Sequence, residues 1–173
     1  MQLIDVRLYT LKKRRLFVTI LLLSSVMIFA KADTANLNLT LTITMPPQCT
    51  FNGNQATSVS FGEVQQGLID GTSYKRIPIN YGLVCTGLEK NNLTMTLSWN
   101  ELTLNGESTI KTNRTDLGIA IYRDSTRVRN NSAINFTYGS SPQLYAVPTK
   151  PTGKMLTDAG RFTGVMTMTL NYQ

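Results

Sequence analysis

Beyond residue 36, runs in which apolar and polar residues alternate at every second position dominate the sequence, and this alternation most constrains the fold. Leu37, Leu39, Leu41, Ile43 and Met45 are separated by Asn38, Thr40, Thr42 and Thr44. Near the other end Phe162, Met166, Met168, Leu170 and Tyr172 share one parity, with Thr163, Thr167, Thr169 and Asn171 on the other. In a strand, residues two apart lie on one face, whereas a helical period would scatter them around the axis. Helical periodicity is hard to find beyond residue 32, so the chain reads as all-β. Strands are expected over 37–45, 77–85, 93–99, 117–121, 134–138, 144–147 and 162–172. Turn-forming clusters separate them, among them Asn52-Gly53-Asn54, Asp70-Gly71-Thr72, Asn105-Gly106 and Pro151-Thr152-Gly153.

Seven short strands at this spacing predict an antiparallel β-sandwich of immunoglobulin type. Of the residues, 42% are hydrophobic and 16% charged, enough apolar material for one core. The two ends carry the information. Pro46 and Pro47 interrupt any ladder just after the first alternating run, which separates that arm from the rest of the chain. The last run stops one residue before the end of the sequence, so no later segment pairs with its free side, and an unpaired edge invites another chain. The competing reading makes residues 37–45 an ordinary first strand of the chain's own sheet, because alternation only says half-buried.

The first 32 residues have a different character. Lys12, Lys13, Arg14 and Arg15 precede an apolar or small stretch over 16–30, followed by Ala30-Lys31-Ala32, a small-x-small pattern. This predicts a secretory signal peptide over residues 1–32. As a membrane anchor the stretch is short: about 15 residues give roughly 22 Å of helix against a hydrocarbon core of ~30 Å. Six of the 17 Lys and Arg residues fall here with one acid, leaving 11 basic and 9 acidic residues beyond, so the net +7 describes no basic domain and no nucleic-acid footprint. Export places Cys49 and Cys85 in an oxidising compartment, where the pair is best read as one disulfide. Closing that loop stabilises by about 4 kcal/mol in the chain-entropy model.

Chemistry is sparse. There is no histidine, which removes the common nucleophile triads and histidine metal sites. Asp70, Asp116, Asp124 and Asp158 stand in turn-like contexts, where aspartate caps its own backbone. No nucleophile elbow, phosphate loop or paired-acid motif occurs, and no cofactor or metal is expected. Trp99 with Tyr81 and Tyr122 is a candidate sugar platform, although one Trp on an alternating strand belongs more often to a core. Arg123, Arg127 and Arg129 read as a solvated basic face near a hairpin. The triplets Asn92-Leu93-Thr94 and Asn135-Phe136-Thr137 match a glycosylation pattern by chance in so Asn- and Thr-rich a chain.

The alternating arm, Cys49, Cys85, Gly160 followed by Phe162 about fourteen residues from the end, and the penultimate Tyr172 together resemble pilin subunits of the bacterial chaperone-usher pathway. The resemblance implies an incomplete immunoglobulin-like sandwich lacking its last strand, over residues 49–173, preceded by an N-terminal donor-strand extension over 33–48. It implies a donor strand of Leu37, Leu39, Leu41, Ile43 and Met45, and an acceptor groove along the C-terminal strand with Gly160, Phe162, Met166, Met168, Leu170 and Tyr172. A periplasmic pilus chaperone would lend a strand to the groove until, at an outer-membrane usher, a neighbouring subunit's arm replaces it. The family's arm usually carries a glycine at one alternating position and this arm has none, so the subunit that receives it would need a differently shaped pocket.

A single domain behind an arm looks like an internal link rather than a tip adhesin. Composition points toward a minor subunit joining a tip adhesin to the fibre of a surface fimbrium, similar to those of P and type 1 pili. A secreted carbohydrate-binding β-sandwich module is the alternative, and it predicts a folded arm. An enzyme is not expected.

Overall fold

The structure, a computed structural model, describes Leu41 and residues 45–172. The chain divides into two units, Met1–Ile43 and Thr44–Gln173, and every described residue except Leu41 belongs to the second. The expected signal segment and most of the arm lie outside the described residues, as do Leu37, Leu39 and Ile43.

The second unit is antiparallel β-structure with two single-turn 3₁₀ segments. Its strands are β1 (Gln48–Phe51), β2 (Ile77–Pro78), β3 (Leu83–Thr86), β4 (Asn92–Trp99), β5 (Glu101–Leu104), β6 (Glu107–Lys111), β7 (Gly118–Arg123), β8 (Thr126–Arg127), β9 (Ala133–Thr137), β10 (Leu144–Thr149) and β11 (Met166–Tyr172). One sheet runs β2-β10-β7-β6-β5 with β8 on β7, a second runs β11-β4-β9, and β1 pairs with β3. Between the two larger sheets lies a core of Met95, Leu97 and Trp99 from β4, Ile134 from β9, Ile119 and Ile121 from β7, and Leu144 and Ala146 from β10. Trp99 and Tyr81 are therefore core residues, with the Tyr81 hydroxyl donating to the Pro142 carbonyl at 2.6 Å.

Cys49 and Cys85 face each other in register across β1 and β3 and form the disulfide. The Cys85 amide, turned away from β1, donates instead to the Tyr138 hydroxyl at 3.0 Å. This ties the ribbon to the chain just after β9.

Two strand expectations change and one hairpin is added. The run 77–85 is two strands: β2 lies on β10, and after the Asn52 amide reaches the carbonyls of Tyr81 and Gly82, β3 continues on β1. The run 162–172 is a strand only from Met166, because residues 160–163 are bonded to the loop after β6 instead of to β4. The hairpin β5–β6 turns at Asn105 and Gly106, both at positive φ, the requirement of a tight two-residue turn. The turn is readable in the sequence, but its strands Glu-Leu-Thr-Leu and Glu-Ser-Thr-Ile-Lys carry too few apolar residues to stand out.

On β7 both faces are buried. Its outward residues Ala120 and Tyr122 pack with Val147 and Tyr145 of β10. The loop before β2 reaches this face, with Tyr122 donating to the Gly71 carbonyl at 2.7 Å. On the exposed side of β4 and β9, Thr94 donates to Asn135 at 2.8 Å.

Candidate functional site

The site follows from the difference between β4 and its neighbour β11. Register pairs Met166 with Trp99, Met168 with Leu97, Leu170 with Met95 and Tyr172 with Leu93, so these residues share the face turned to the core. On β4, held on both sides by β9 and β11, Leu93, Met95 and Leu97 are 0% exposed. On β11 the equivalent Met166, Met168 and Leu170 are only half-buried, and Tyr172 is 47% exposed. Strand β11 pairs with β4 alone among the described residues. Phe51, Val59, Phe61, Leu83, Phe136 and Phe162 are likewise half-buried against the same core. The core thus opens beside an edge strand whose backbone groups on that side have no ladder. A strand with apolar residues at alternate positions would supply both the missing ladder and the missing cover.

At the start of β11 the opening widens into a cleft of about 960 Å³ between residues 59–66 and 158–163. Phe61 and Phe162 stack across it, ring centroids 5.6 Å apart at 22°. The 160–163 wall is fixed by the loop after β6. The Asn113 amide donates to the Thr163 carbonyl at 3.2 Å, and the Thr163 amide returns to the Asn113 side-chain oxygen at 2.8 Å. Arg114 Nε donates to the Arg161 carbonyl at 2.9 Å. These bonds draw the segment off β4 and delay β11 to Met166. Two glycines permit it. Gly160 sits at φ 117°, and a Cβ there would come within 2.7 Å of the Arg114 guanidinium. A Cβ on Gly164 would come within 2.9 Å of Ile110 and 3.2 Å of Ile119, so only glycine lets the backbone cross the core at that point.

Of the residues expected in the groove, Phe162, Met166, Met168 and Leu170 are thus brought together, Tyr172 stands at the far end, and Gly160 shapes the mouth. Of the donor residues, Leu41 and Met45 are 83% and 89% exposed, and the other three are outside the described residues. Val59, Phe61, Asn113 and Arg114 belong to the mouth but carry no sequence signal beyond a short Val-Ser-Phe alternation. Their roles come from partners about fifty to a hundred positions away.

Of the four aspartates expected to cap their own backbone, only Asp70 does so; Asp158 and Asp116 reach segments 43 and 38 positions away, and the Asp124 carboxylate makes no hydrogen bond among the described residues, because tertiary packing supplies their surroundings. Asp70 accepts from the amides of Thr72, Ser73 and Tyr74 at 2.9–3.0 Å and from the Ser73 hydroxyl. Partial desolvation pushes its carboxyl up, but the Ser73 hydroxyl and the three amides outweigh it and hold the pKa well below the usual carboxylate range. Asp158 accepts from the Thr115 amide at 3.1 Å. Asp116 pairs with Lys154. No group of three or more His, Cys, Asp or Glu side chains converges among the described residues.

The family model described as Fimbrial protein matches residues 37–173. The chain is a fimbrial subunit. Membership of that family makes it a structural, non-enzymatic component of a surface pilus. A fimbrial-like protein of Escherichia coli K12, YfcR, is 37% identical over 148 residues, covering 83% of this chain and 84% of that one. Among solved structures, the P pilus rod subunit PapA aligns with a TM-score of 0.58 at 22% identity, covering 72% of this chain and 99% of PapA. The P pilus adaptor subunit PapF aligns at 0.57 and 23%, covering 76% and 100%. At these identities the likeness is one of fold, the pilin form of the immunoglobulin-like sandwich.

Proposed function

We propose that this fimbrial subunit works by exchanging strands with its neighbours: β11 receives an apolar strand along its open edge, and residues 37–45 are donated to the next subunit. The observation that carries this reading is the half-buried row Met166, Met168 and Leu170 on an edge that has no further strand among the described residues, next to a β4 whose matching residues are buried. Burial of five arm residues at 1.5 to 3 kcal/mol each amounts to about 8 to 15 kcal/mol gross, an upper bound before ordering entropy, enough to drive assembly without an energy source. A periplasmic chaperone fills the same edge before assembly, and an outer-membrane usher is the place of exchange. A single unit behind an arm, with five methionines and a slightly basic balance beyond residue 32, supports a minor, tip-proximal link between an adhesin and the fibre rather than the abundant rod subunit.

The test is paired. Deleting residues 35–45 should leave co-purification with the chaperone intact and abolish donation to a purified acceptor subunit, read as loss of a gel shift. If the deletion instead makes the protein insoluble and chaperone-free, the arm closes this chain's own sheet, and a self-contained carbohydrate-binding sandwich becomes the better account.

A further inference from the structure

The outward face of the larger sheet carries a second concavity, on the side of β7 and β10 turned away from the groove. It is an open cleft of about 640 Å³ lined by Thr72, Arg76, Tyr122, Asp124, Ser125 and Tyr145. Arg76 organises it. Its guanidinium carbon lies 4.7 Å from the Tyr122 ring centroid and 4.4 Å from that of Tyr145, and its nitrogens donate to the carbonyls of Thr72, at 3.3 Å, and Asp124. A guanidinium has five N–H donors, so some remain unused. Tyr122 is committed to the Gly71 carbonyl. Tyr145 is half-buried, with no hydrogen bond to its hydroxyl among the described residues. The turn between β7 and β8 places Asp124, at φ 51°, and Ser125 on the rim, both exposed. The Asp124 backbone is tied through its amide to Gln143 and through its carbonyl to Arg76, while its carboxylate pairs with no cation among the described residues.

We infer that this cleft is a binding site for a neutral pyranose sugar. One cation and one carboxylate share the cleft without pairing, so the site has no strong field of either sign and suits an uncharged ligand bearing many hydroxyls. The Asp124 carboxylate only accepts and the spare Arg76 N–H groups only donate, while the Thr72, Ser125 and Tyr145 hydroxyls do both. That inventory matches vicinal hydroxyls, each donor and acceptor at once. The Tyr145 ring, one face of which Arg76 covers, forms part of the wall and brings its hydroxyl to the cleft. The arginine is held by two rings and two carbonyls before any ligand arrives, which lowers the ordering cost of binding. Of the candidate sugar platform in the sequence, Trp99 and Tyr81 are in the core, whereas Tyr122 underlies this cleft. The site is independent of strand exchange, because it uses neither β11 nor the arm.

The experiment uses the exported full chain and saturation-transfer NMR with galactose, mannose and glycerol as separate probes. Galactose or mannose should show saturable transfer with a dissociation constant on the order of 1 mM, the weak end of the affinity scale. Asp124→Asn and Tyr145→Phe, neither of which removes a hydrogen bond within the fold, should each weaken it by about tenfold or at least severalfold. Glu89→Gln, away from the cleft, should leave it unchanged. Absence of transfer from both sugars, equal transfer from glycerol, or transfer that survives both Asp124→Asn and Tyr145→Phe would overturn the assignment and leave Arg76 as a clamp for the loop alone.

Discussion

Asp70 shows how a single carboxylate organises a loop that no strand supports. Three successive amides and a hydroxyl converge on it, so the turn after residue 70 is held by its negative charge. Because its pKa is lowered in the folded chain, the stabilisation is present above the ordinary carboxylate pKa and is lost as pH falls through the depressed folded value. The group is exposed, so solvent screening keeps the effect modest. Asp70→Asn should cost about 1 kcal/mol at neutral pH, with the difference from wild type shrinking in strong acid, as measured by urea midpoints across pH. Gly160 poses the opposite problem, a conformation that side chains resist. Gly160→Ala should destabilise by roughly 1 to 3 kcal/mol. Adding Arg114→Ala should relieve the part due to the guanidinium and leave the φ penalty, a pattern that a double-mutant denaturation cycle resolves. The basic cluster also divides at this scale. Arg129 fits a solvated face and Arg123 is half-buried at the end of β7, but Arg127, also half-buried, lies 5.8 Å from the Tyr122 ring centroid and reaches the Ser108 carbonyl. A solvated-face reading therefore fails for it, since cross-sheet packing is invisible in a run of charges.

Strand β11 is where local pattern and long-range structure meet. Its parity was legible because period-two alternation is a local property, and Met166, Met168 and Leu170 do face the core. Its starting point was not, because Phe162 keeps the apolar rhythm while hydrogen bonds from Asn113 and Arg114 draw residues 160–163 away. Met168→Asp should weaken capture of a donated strand by several kcal/mol by forcing a carboxylate under it, whereas Thr169→Asp on the exposed side should be nearly silent. Binding of a synthetic donor peptide, read by calorimetry, distinguishes the two. Equal losses at both positions would remove the groove from the proposal. Leu41→Asp, by contrast, should leave peptide capture unchanged and abolish donation. Short strands such as β1 and β8 left no mark in the sequence, since two to four residues offer too little periodicity to separate from a loop.

For the whole molecule, stability rests on a core that, among the described residues, is closed on the β4 side and open on the β11 side, with a disulfide fastening the first strand to the third. Cys85→Ser should lower stability by about 4 kcal/mol in the chain-entropy model and sharply reduce exported yield, checked by periplasmic fractionation beside the wild type. Mass mapping of exported wild-type protein should find no free thiol. All-β class, the pairing of Cys49 with Cys85, the inward parity of the last strand and the capping role of Asp70 could be read from residue order, because each depends on neighbours two to four positions away or on a simple count; the distant partners of Asp116 and Asp158 could not. Which edge stays open, where β11 begins, how Phe61 meets Phe162, and how Arg76 comes to lie against Tyr122 and Tyr145 were decided only in the folded chain. Each joins segments some fifty to a hundred positions apart, and such contacts are selected by the packing of two sheets rather than by any local preference.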